Sequence, residues 1–551
     1  MSGWNFADAW ETVARSIPGA PCLIQGDRRL TWSDFERRAN CLASYLLGRG
    51  VKQQDKVAQY LYNCPEYLES VFASLKAGLV PINTNYRYMD DELVYLWDNA
   101  DCVAVVFHSS FAPVIERIRL RVPQIVTWLW VEDPHDAAGE LAAECPSWAV
   151  SYEAAILEGQ AETLACRWER GGDDLVMLYT GGTTGMPKGV MWRQDDLFRN
   201  LLEHVVPEVR QGSPRYELLD RSEKRPGMVG LPACPLMHGT GWFSQMLLLT
   251  LGGSSVALLG KSLDIREVLS TIERERVSNL VIAGDAFAKP ILRALDASPG
   301  EWDISSLRLV SSSGMMFSSS SKKRLLTYNP SIRIVDTFSS SEALGMAQSV
   351  TDAEGKTETA KFVLGENALV IGENGELVSP GSGEIGRVAV GGRQPVGYYK
   401  DPAKTAATFI TFEGRRYSCP GDFARVERDG SLTFLGRGSI CINTGGEKVF
   451  PEEVEEVLKC HPSVADAVVV GIRDEKFGEA ITAVVQRVPS EALDEAELIL
   501  HVKARLAGYK VPKHVIFVES TGRAANGKLD YTRTTAFAEQ YLEGKLDSPG
   551  E

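Results

Sequence analysis

The sequence lacks the cysteine pairs that mark common metal sites and disulfide frameworks. Its 10 cysteines are scattered over 551 residues, with no CxxC and no cysteine pair that has a histidine at ligand spacing. This pattern argues against a zinc site and against a redox-active cysteine pair. Free thiols buried in a reducing compartment are the expected state, and we expect a cytoplasmic protein.

The sequence also lacks a long apolar run and a leader segment. The most apolar window, Trp242 to Leu259, is interrupted by Gln245 and by a Gly-Gly-Ser-Ser stretch. It therefore falls short of the ~20 continuous apolar residues of a membrane helix. The N-terminus carries acidic residues and lacks the basic start and apolar core of a signal peptide. We expect no membrane span.

Positive charge is in deficit. The chain has 58 Lys and Arg against 73 Asp and Glu, a net charge of −15. Such a balance disfavours non-specific binding to nucleic acid or anionic lipid, although one local pocket can still hold a small anion. The hydrophobic fraction of 44% and the charged fraction of 24% are ordinary for a globular protein and exclude wholesale disorder.

What the sequence does contain is an alternation of short apolar runs and helical segments. Strands are predicted at 57–61, 103–107, 125–131 and 332–336, and the Thr31 to Asp34 segment predicts a helix start. Apolar strands separated by helices favour an α/β fold with a parallel-rich sheet, whose ligands bind at the carboxyl ends of the strands.

The texture changes twice along the chain, and the length predicts more than one structural unit. Short β-like pieces dominate 352–437, which predicts a small β-rich subdomain within an N-terminal domain spanning 1–437. An α+β pattern follows and predicts a C-terminal domain spanning 438–551, with the boundary near Gly438 and Ser439. A segment of this size can form its own core.

The sharpest local motif is a glycine- and threonine-rich loop. The sequence TGGTTGMPKG (180–189) follows the apolar run LVMLY. Its glycines allow a close approach of the backbone to a ligand, while threonine hydroxyls and Lys188 can bind phosphate oxygens. It is not a Walker loop, because Lys188 is followed by Gly189. A loop that wraps an oligophosphate is predicted.

This loop resembles the phosphate loop of AMP-forming adenylating enzymes, the family of acyl-CoA synthetases, peptide-synthetase adenylation domains and luciferases. Further motifs of that family follow in the expected order over nearly the whole chain. The segments GVMWR (189–193), PVGYYKDPAKTAATF (395–409) and INTGGEKVFPEEVE (442–455) are most similar to bacterial fatty-acyl and steroid-side-chain CoA ligases.

The resemblance implies a set of nucleotide-binding residues. For the ATP phosphates they are Thr180, Gly181, Gly182, Thr183, Thr184, Gly185 and Lys188. For adenine and ribose they are Ser313, Gly314, Asp336, Thr337, Phe338, Ser341, Asp422 and Arg437. Phe338 stands where relatives often have Tyr, which keeps a ring to stack on adenine and loses a hydroxyl.

The resemblance also implies catalytic residues. Lys528, in the segment Arg523 to Lys528, would stabilise charge that builds on the substrate carboxylate and the phosphates. Glu342 would hold Mg²⁺, Thr184 would bind phosphate, and His238 would position the acid. Gly522 and Ala525 replace the prolines of that segment, and Ser439 replaces a charged hinge residue; both are departures from the family pattern.

Two further groups follow from the resemblance. The acyl pocket is implied at His238, Gly239, Trp242, Gly284 and Asp285, and coenzyme A at Gly445, Gly446 and Lys448. Relatives that activate amino acids carry an acidic residue where this chain has Gly239. Its absence argues against an amino-acid substrate.

The resulting hypothesis is an ATP- and Mg²⁺-dependent acyl-CoA ligase. A fatty, alicyclic or steroid side-chain acid would form acyl-AMP with release of pyrophosphate, and coenzyme A would then take the acyl group after the mobile C-terminal domain rotates. Alternatives are an aryl-acid CoA ligase, an adenylating enzyme that serves a carrier-protein thiol, and a non-enzymatic nucleotide or acyl binder. No nucleic acid partner is expected, and a homodimer is the default assembly.

Overall fold

The computed structural model describes residues 3–133, 144–161, 164, 166, 168–180, 186–221, 227–354, 361–437, 442–444, 447–474, 478–489, 493–523 and 529–544. Up to residue 202, helices and strands alternate: α1 (Phe6–Ser16), β1 (Pro21–Gln25), β2 (Arg28–Thr31), α2 (Trp32–Gly48), β3 (Lys56–Tyr60), α3 (Pro65–Lys76), β4 (Val80–Asn83), α4 (Asp90–Asn99), β5 (Cys102–His108), α5 (Ala112–Ile118), β6 (Thr127–Val131), β7 (Val150–Ser151), α6 (Tyr152–Glu158), β8 (Leu175–Thr180), β9 (Lys188–Arg193) and α7 (Gln194–Leu202).

The alternation continues to residue 340 with β10 (Val229–Pro232), α8 (Gly239–Thr250), β11 (Ser254–Ala257), α9 (Ile265–Arg274), β12 (Asn279–Ile282), α10 (Asp285–Ala297), β13 (Leu309–Ser313), α11 (Ser319–Tyr328) and β14 (Arg333–Ser340). The next segment is mostly strand: β15 (Ala343–Thr351), β16 (Lys361–Leu364), β17 (Ala368–Gly372), β18 (Ile385–Val390), β19 (Gly397–Tyr398), α12 (Pro402–Thr408), β20 (Phe409–Phe412), β21 (Arg415–Ser418), β22 (Asp422–Val426) and β23 (Ser431–Arg437).

The last part of the chain contains β24 (Ile442–Thr444), β25 (Glu447–Val449), α13 (Pro451–Lys459), β26 (Val464–Asp474), β27 (Gly478–Arg487), α14 (Glu495–Lys503), β28 (His514–Val518) and α15 (Tyr531–Leu542). These strands form a sheet of their own in the order β25-β24-β27-β26, with β28 beside β27. Val454, Leu458 and Val485 belong to a separate hydrophobic core there.

Two sheets carry the rest. One has the order β19-β9-β8-β4-β3-β5-β6-β7, in which β4, β3, β5 and β6 are parallel. The other begins β2-β1-β11-β10-β12-β13-β14 and is parallel from β1 to β14. From β15 onward its strands are antiparallel. The β-rich segment therefore extends this second sheet, and the predicted α/β fold class is confirmed.

Local signals explain several boundaries. Helix α2 begins where predicted: the Thr31 hydroxyl accepts a hydrogen bond from the Asp34 amide at 3.1 Å, and the Asp34 carboxylate accepts one from the Thr31 amide at 3.0 Å. Such a reciprocal cap satisfies two amides that the helix leaves without partners. The predicted strands at 57–61, 103–107, 125–131 and 332–336 correspond to β3, β5, β6 and the start of β14.

Cysteines in the described residues are free thiols, and Cys22, Cys64, Cys102 and Cys234 are buried. Burial raises the pKa of each of these four thiols. Within the described ranges no helix combines the length and the apolar character that a bilayer span requires. The same ranges contain no cluster of three or more His, Cys, Asp or Glu residues that could hold a metal ion.

Candidate active site

The predicted phosphate loop connects two neighbouring antiparallel strands. Thr180 is the last residue of β8, Lys188 is the first of β9, and the two lie opposite each other in the hairpin. Gly181, Gly182, Thr183, Thr184 and Gly185 lie outside the described residues. Because both flanking strands belong to one sheet, the two ends of the loop are held at a fixed separation.

Glu342 is attached to the same hairpin. The Tyr398 hydroxyl donates to its Oε1 at 2.8 Å, and the Ser418 hydroxyl donates to its carbonyl oxygen at 2.7 Å. The Trp192 indole N–H, from β9, donates to the carbonyl oxygen of the preceding Ser341 at 3.0 Å. The structure thus places the predicted metal ligand and Ser341 beside the strand that follows the phosphate loop.

The two predicted adenine segments are adjacent strand ends. Ser313 pairs with Thr337 in the parallel β13-β14 register, and its hydroxyl donates to the Thr337 carbonyl oxygen at 2.8 Å. The next residue, Gly314, faces α8: a Cβ built on it would lie 3.5 Å from the Thr240 hydroxyl. The adenine segments therefore lie next to the acyl-pocket helix.

Asp336 and Phe338 have internal partners. The Asp336 carboxylate is buried and accepts a hydrogen bond from the Lys322 ammonium at 2.8 Å. Burial raises the pKa of Asp336, and Lys322 opposes that rise. The centroid of the Phe338 ring lies 4.2 Å from the ring centroid of Phe434 and 5.9 Å from that of Phe362. Contacts of these residues and of Thr337 with adenine stay predictions.

The two predicted ribose residues face each other. Asp422 begins β22 and pairs with Arg437 at the end of β23. Gly436 has φ of 123°, and a Cβ on it would lie 2.1 Å from Glu452 Oε2 in α13, so the Glu452 side chain would have to move. Burial, together with Glu455, raises the pKa of Glu452 to about 8. This corner is where the large part of the chain meets α13.

Three predicted acyl-pocket residues, His238, Gly239 and Trp242, lie at the start of α8. Half-buried His238 is its N-cap residue, and Gly239 is its first helical residue. A Cβ on Gly239 would lie 3.3 Å from the Leu178 side chain of β8. Trp242 is buried, and its indole N–H has no hydrogen-bond partner within the described residues. The first turn of α8 therefore packs on the strand that leads into the phosphate loop.

Gly284 and Asp285 form a tight junction before α10. Gly284 has φ of 53°, and a Cβ there would lie 2.2 Å from the Met316 carbonyl oxygen. The buried Asp285 carboxylate accepts a hydrogen bond from the Ser318 amide at 3.1 Å and lies 3.9 Å from the Lys289 ammonium. Only glycine fits such a conformation and approach, so this wall is fixed by backbone geometry.

For the C-terminal part the structure places fewer of the predicted residues. Gly445, Gly446 and Lys528 lie outside the described residues, while Lys448 lies in β25, paired with Asn443 of β24. Arg523, which opens the segment before Lys528, binds Asp466 at 2.7 Å and Glu455 at 3.3 Å.

Sequence profiles decide the family. That of the AMP-binding enzymes matches residues 10–399, and that of the AMP-binding enzyme C-terminal domain matches residues 453–528. The chain belongs to the AMP-binding enzyme family. The resemblance stated from the phosphate loop and the later motifs is confirmed.

Full-length relatives of this AMP-binding enzyme carry CoA ligase names. It is 39% identical over 533 residues to a medium/long-chain-fatty-acid–CoA/3-oxocholest-4-en-26-oate–CoA ligase of Mycobacterium marinum, covering 96% of this chain and 95% of the relative. It is also 39% identical over 542 residues to a 3-oxocholest-4-en-26-oate–CoA ligase of Rhodococcus rhodochrous, covering 96% and 94%. An anthranilate CoA ligase solved with anthranoyl-AMP has the same fold, with a TM-score of 0.83, 22% identity and 99% coverage of both chains.

Several residues that organise the site of this AMP-binding enzyme were missed by sequence reasoning. Asn63 binds the segment 232–237 before α8, called the acyl block below, and Asn83 binds both this block and β8. Lys322 binds Asp336, and Tyr398 binds Glu342. For Asn83 the available signal was a polar residue that ends the short run VPIN (80–83). Tyr398 lies within the family segment 395–409, but nothing in the sequence connects Tyr398, Asn63 or Lys322 with its distant partner.

Proposed function

We propose that this AMP-binding enzyme is an AMP-forming acyl-CoA ligase for fatty or steroid side-chain carboxylic acids. The observation that carries the proposal is the first turn of α8, which packs on Leu178 of β8 and faces Gly314 of the adenine segment through Thr240. The strand that leads into the predicted phosphate loop and a residue of the predicted adenine site thus lie at the helix end that carries predicted acid-site residues, and this supports the proposal. Two relatives named as ligases for such acids, similar over their full length, support the substrate class.

The proposed chemistry has two balanced steps. A carboxylate oxygen attacks the α-phosphorus of ATP, and pyrophosphate leaves with the electrons of the broken P–O bond. The thiol sulfur of coenzyme A then attacks the acyl carbon, loses its proton to solvent, and displaces AMP. Neither step needs a side-chain nucleophile, so positioning and charge stabilisation carry the catalysis. Thr180 and Lys188 bind phosphate, His238 positions the acid, and Lys528 stabilises the developing charge.

Mg²⁺ fits the residues present. Glu342 supplies one carboxylate beside the phosphate hairpin, and the described residues hold no larger acidic cluster there. That donor set is typical of Mg²⁺, which binds one or two carboxylates together with substrate phosphates. When bound, the ion neutralises phosphate charge; Tyr398 holds the Glu342 carboxylate in place for it.

Coenzyme A is assigned to the C-terminal part of the chain. We place the domain boundary at 437/438 and propose that the C-terminal domain, 438–551, rotates about Gly438 and Ser439 between the two steps. The rotation withdraws Lys528 and brings Gly445, Gly446 and Lys448 to the acyl-AMP. Separate sheets and cores on the two sides of this boundary support the proposal.

The acid is expected to be apolar and not an amino acid. We assign the acyl pocket to the segments 237–243, 284–287 and 312–317, whose aromatic residues Trp242, Phe243, Phe287 and Phe317 are buried. Gly239 offers no carboxylate to an α-amino group, which excludes that recognition mode at this position. We further propose that the enzyme is cytoplasmic and forms a homodimer. Analytical ultracentrifugation would test the homodimer.

The test is pyrophosphate release with ATP and Mg²⁺ over a panel of medium- and long-chain fatty acids, steroid side-chain acids and aryl acids, each with and without coenzyme A. Fatty or steroid acids that yield AMP and an acyl-CoA would support the proposal. Turnover confined to aryl acids would overturn the substrate class. Acyl-AMP formation without any acyl-CoA would indicate a carrier-protein acceptor, and no release with any acid would overturn the enzymatic reading.

A further inference from the structure

A buried asparagine links the phosphate hairpin to the acyl block. Asn83 ends β4, is 4% exposed, and makes three hydrogen bonds. Its Oδ1 accepts from the Tyr179 amide at 2.6 Å. Its Nδ2 donates to the carbonyl oxygens of Tyr179 at 2.9 Å and of Met237 at 2.6 Å. Both amide protons and one oxygen lone pair are therefore used.

The partners of Asn83 are the residues next to the two predicted substrate sites. Tyr179 immediately precedes Thr180, where β8 ends and the phosphate loop begins. Met237 immediately precedes His238, the N-cap of α8. The backbones of β4 and β8 pair at Ile82 and Met177. Beyond this pair, the Asn83 side chain connects the two strands through its hydrogen bonds to Tyr179. The Asn83 amide thus joins the residues before the two predicted sites by direct hydrogen bonds, beside the packing of α8 on Leu178.

We propose that Asn83 is a positioning residue of the adenylation step, which aligns the carboxylate of the acid with the α-phosphate of ATP. The proposal rests on the proposed function. In-line displacement depends on the mutual placement of two bound substrates, and a misplacement of ~1 Å costs about 100-fold in rate. Loss of this amide should therefore lower turnover more than it weakens binding of either substrate alone.

A second asparagine provides a matched control. Asn63 also makes three hydrogen bonds, donating to the carbonyl oxygens of Pro232 at 3.2 Å and Cys234 at 3.1 Å and accepting from the Leu236 amide at 2.7 Å. It holds the same block of chain before α8. None of its hydrogen bonds in the described part of the chain reaches β8. Asn63→Asp thus disturbs the acyl block alone. Asn83→Asp disturbs the link between the acyl block and β8, the strand before the phosphate loop.

The experiment measures acid-dependent ATP–pyrophosphate exchange for the wild type, Asn83→Asp and Asn63→Asp. For Asn83→Asp we expect kcat to fall about 10- to 100-fold, with the KM for ATP and for the acid each changed less than about threefold. For Asn63→Asp we expect the KM for the acid to rise and kcat to change less than about threefold. Thioester formation from supplied acyl-AMP and coenzyme A should be retained by both variants.

The proposal is overturned if the two variants show the same kinetic pattern, or if Asn83→Asp raises a KM without lowering kcat. Should Asn83→Asp fail to fold, Asn83→Ser, which keeps a small donor and acceptor, replaces it with the same expected pattern. An inactive wild type would count against the proposed function instead, since the inference compares variants within a working reaction.

Discussion

Two regions that lead to predicted catalytic residues are anchored by different forces. The block before His238 is held by neutral side-chain amides, those of Asn63 and Asn83. The segment before Lys528 is held by charge, because Arg523 binds the carboxylates of Asp466 and Glu455. Neutral hydrogen bonds are directional and insensitive to pH, whereas a buried ion pair is strong only while both partners are charged.

The ion pairs of Arg523 with Asp466 and Glu455, called the charged anchor below, shift the pKa values of their members. Burial opposes the charge of Asp466, yet Lys459 and Arg523 lower the pKa of Asp466 to about 2. Burial also opposes the charge of Arg523, yet the carboxylates of Glu455 and Asp466 raise the pKa of Arg523. A fixed distance within the large part of the chain is set by neutral amides, while the segment before Lys528 is held by ionised groups. The following variants would break or sharpen this comparison.

Removal of Arg523 should have the largest effect. Arg523→Ala leaves the carboxylates of Asp466 and Glu455 with the Lys459 ammonium alone as a shared cation. Because one negative charge is then uncompensated, we expect a local loss of about 3–5 kcal/mol in opening free energy. Hydrogen exchange of the β26 amides measures it. Arg505→Ala, at an exposed arginine, should change the same amides by less than about 0.5 kcal/mol. Equal effects of the two variants would refute the charged anchor.

Removal of Lys528 tests what that anchor carries. Lys528→Ala should slow acyl-AMP formation about 100- to 1000-fold, because the charge that stabilises the transition state is lost. Thioester formation from supplied acyl-AMP should be retained, since the proposed rotation withdraws Lys528 in that step. Lys503→Ala, at an exposed helix end of the same unit, should leave both half-reactions unchanged. Loss of both half-reactions in Lys528→Ala would contradict the assignment.

A methyl group at Gly284 tests a contact in the large part of the chain that backbone geometry holds rather than charge. Gly284→Ala combines a left-handed backbone with a Cβ 2.2 Å from the Met316 carbonyl oxygen, and we expect a loss of about 2–4 kcal/mol in unfolding free energy. Gly300→Ala shares the positive φ, at 81°, but meets no atom within 4 Å. It should cost about 1 kcal/mol. Urea denaturation compares the two; equal costs would mean that the carbonyl moves aside.

The smallest effect concerns Glu452, where the large part of the chain meets α13. Its pKa is raised from 4.5 to about 8 by burial and by Glu455 and Asp422. Because the folded state favours the protonated acid, its contribution to stability is complete below pH 4.5 and is lost as the pH rises through 8. Lys459 opposes the shift.

Glu452→Gln should therefore be more stable than the wild type above pH 8, by about 1–3 kcal/mol, and equal to it near pH 4.5. Thermal denaturation across this pH range measures the difference. Glu539→Gln, at an exposed position in α15, should follow the wild-type profile throughout. A difference between Glu452→Gln and the wild type that does not change with pH would contradict the buried-acid assignment.

Sequence reasoning succeeded where the signal is local. The cap at Thr31 and Asp34, the strand before Thr180 and the family motifs each depend on contiguous residues, so the sequence predicted them and the α/β fold class. Ser313, a candidate adenine residue, is the last residue of β13. Contacts between substrates and the individual residues, including Thr184 and Lys528 outside the described part of the chain, stay predictions.

What the sequence could not supply is the set of partners across the fold. The link from Asn83 to Met237, the ion pair of Lys322 with Asp336 and the hydrogen bond of Tyr398 to Glu342 join residues 154, 14 and 56 positions apart. Local propensity and motif spacing carry the family, the fold class and the candidate residues. The distances that align those residues arise only when strands from separate parts of the chain pack together, because a side-chain hydrogen bond needs its partner within about 3 Å.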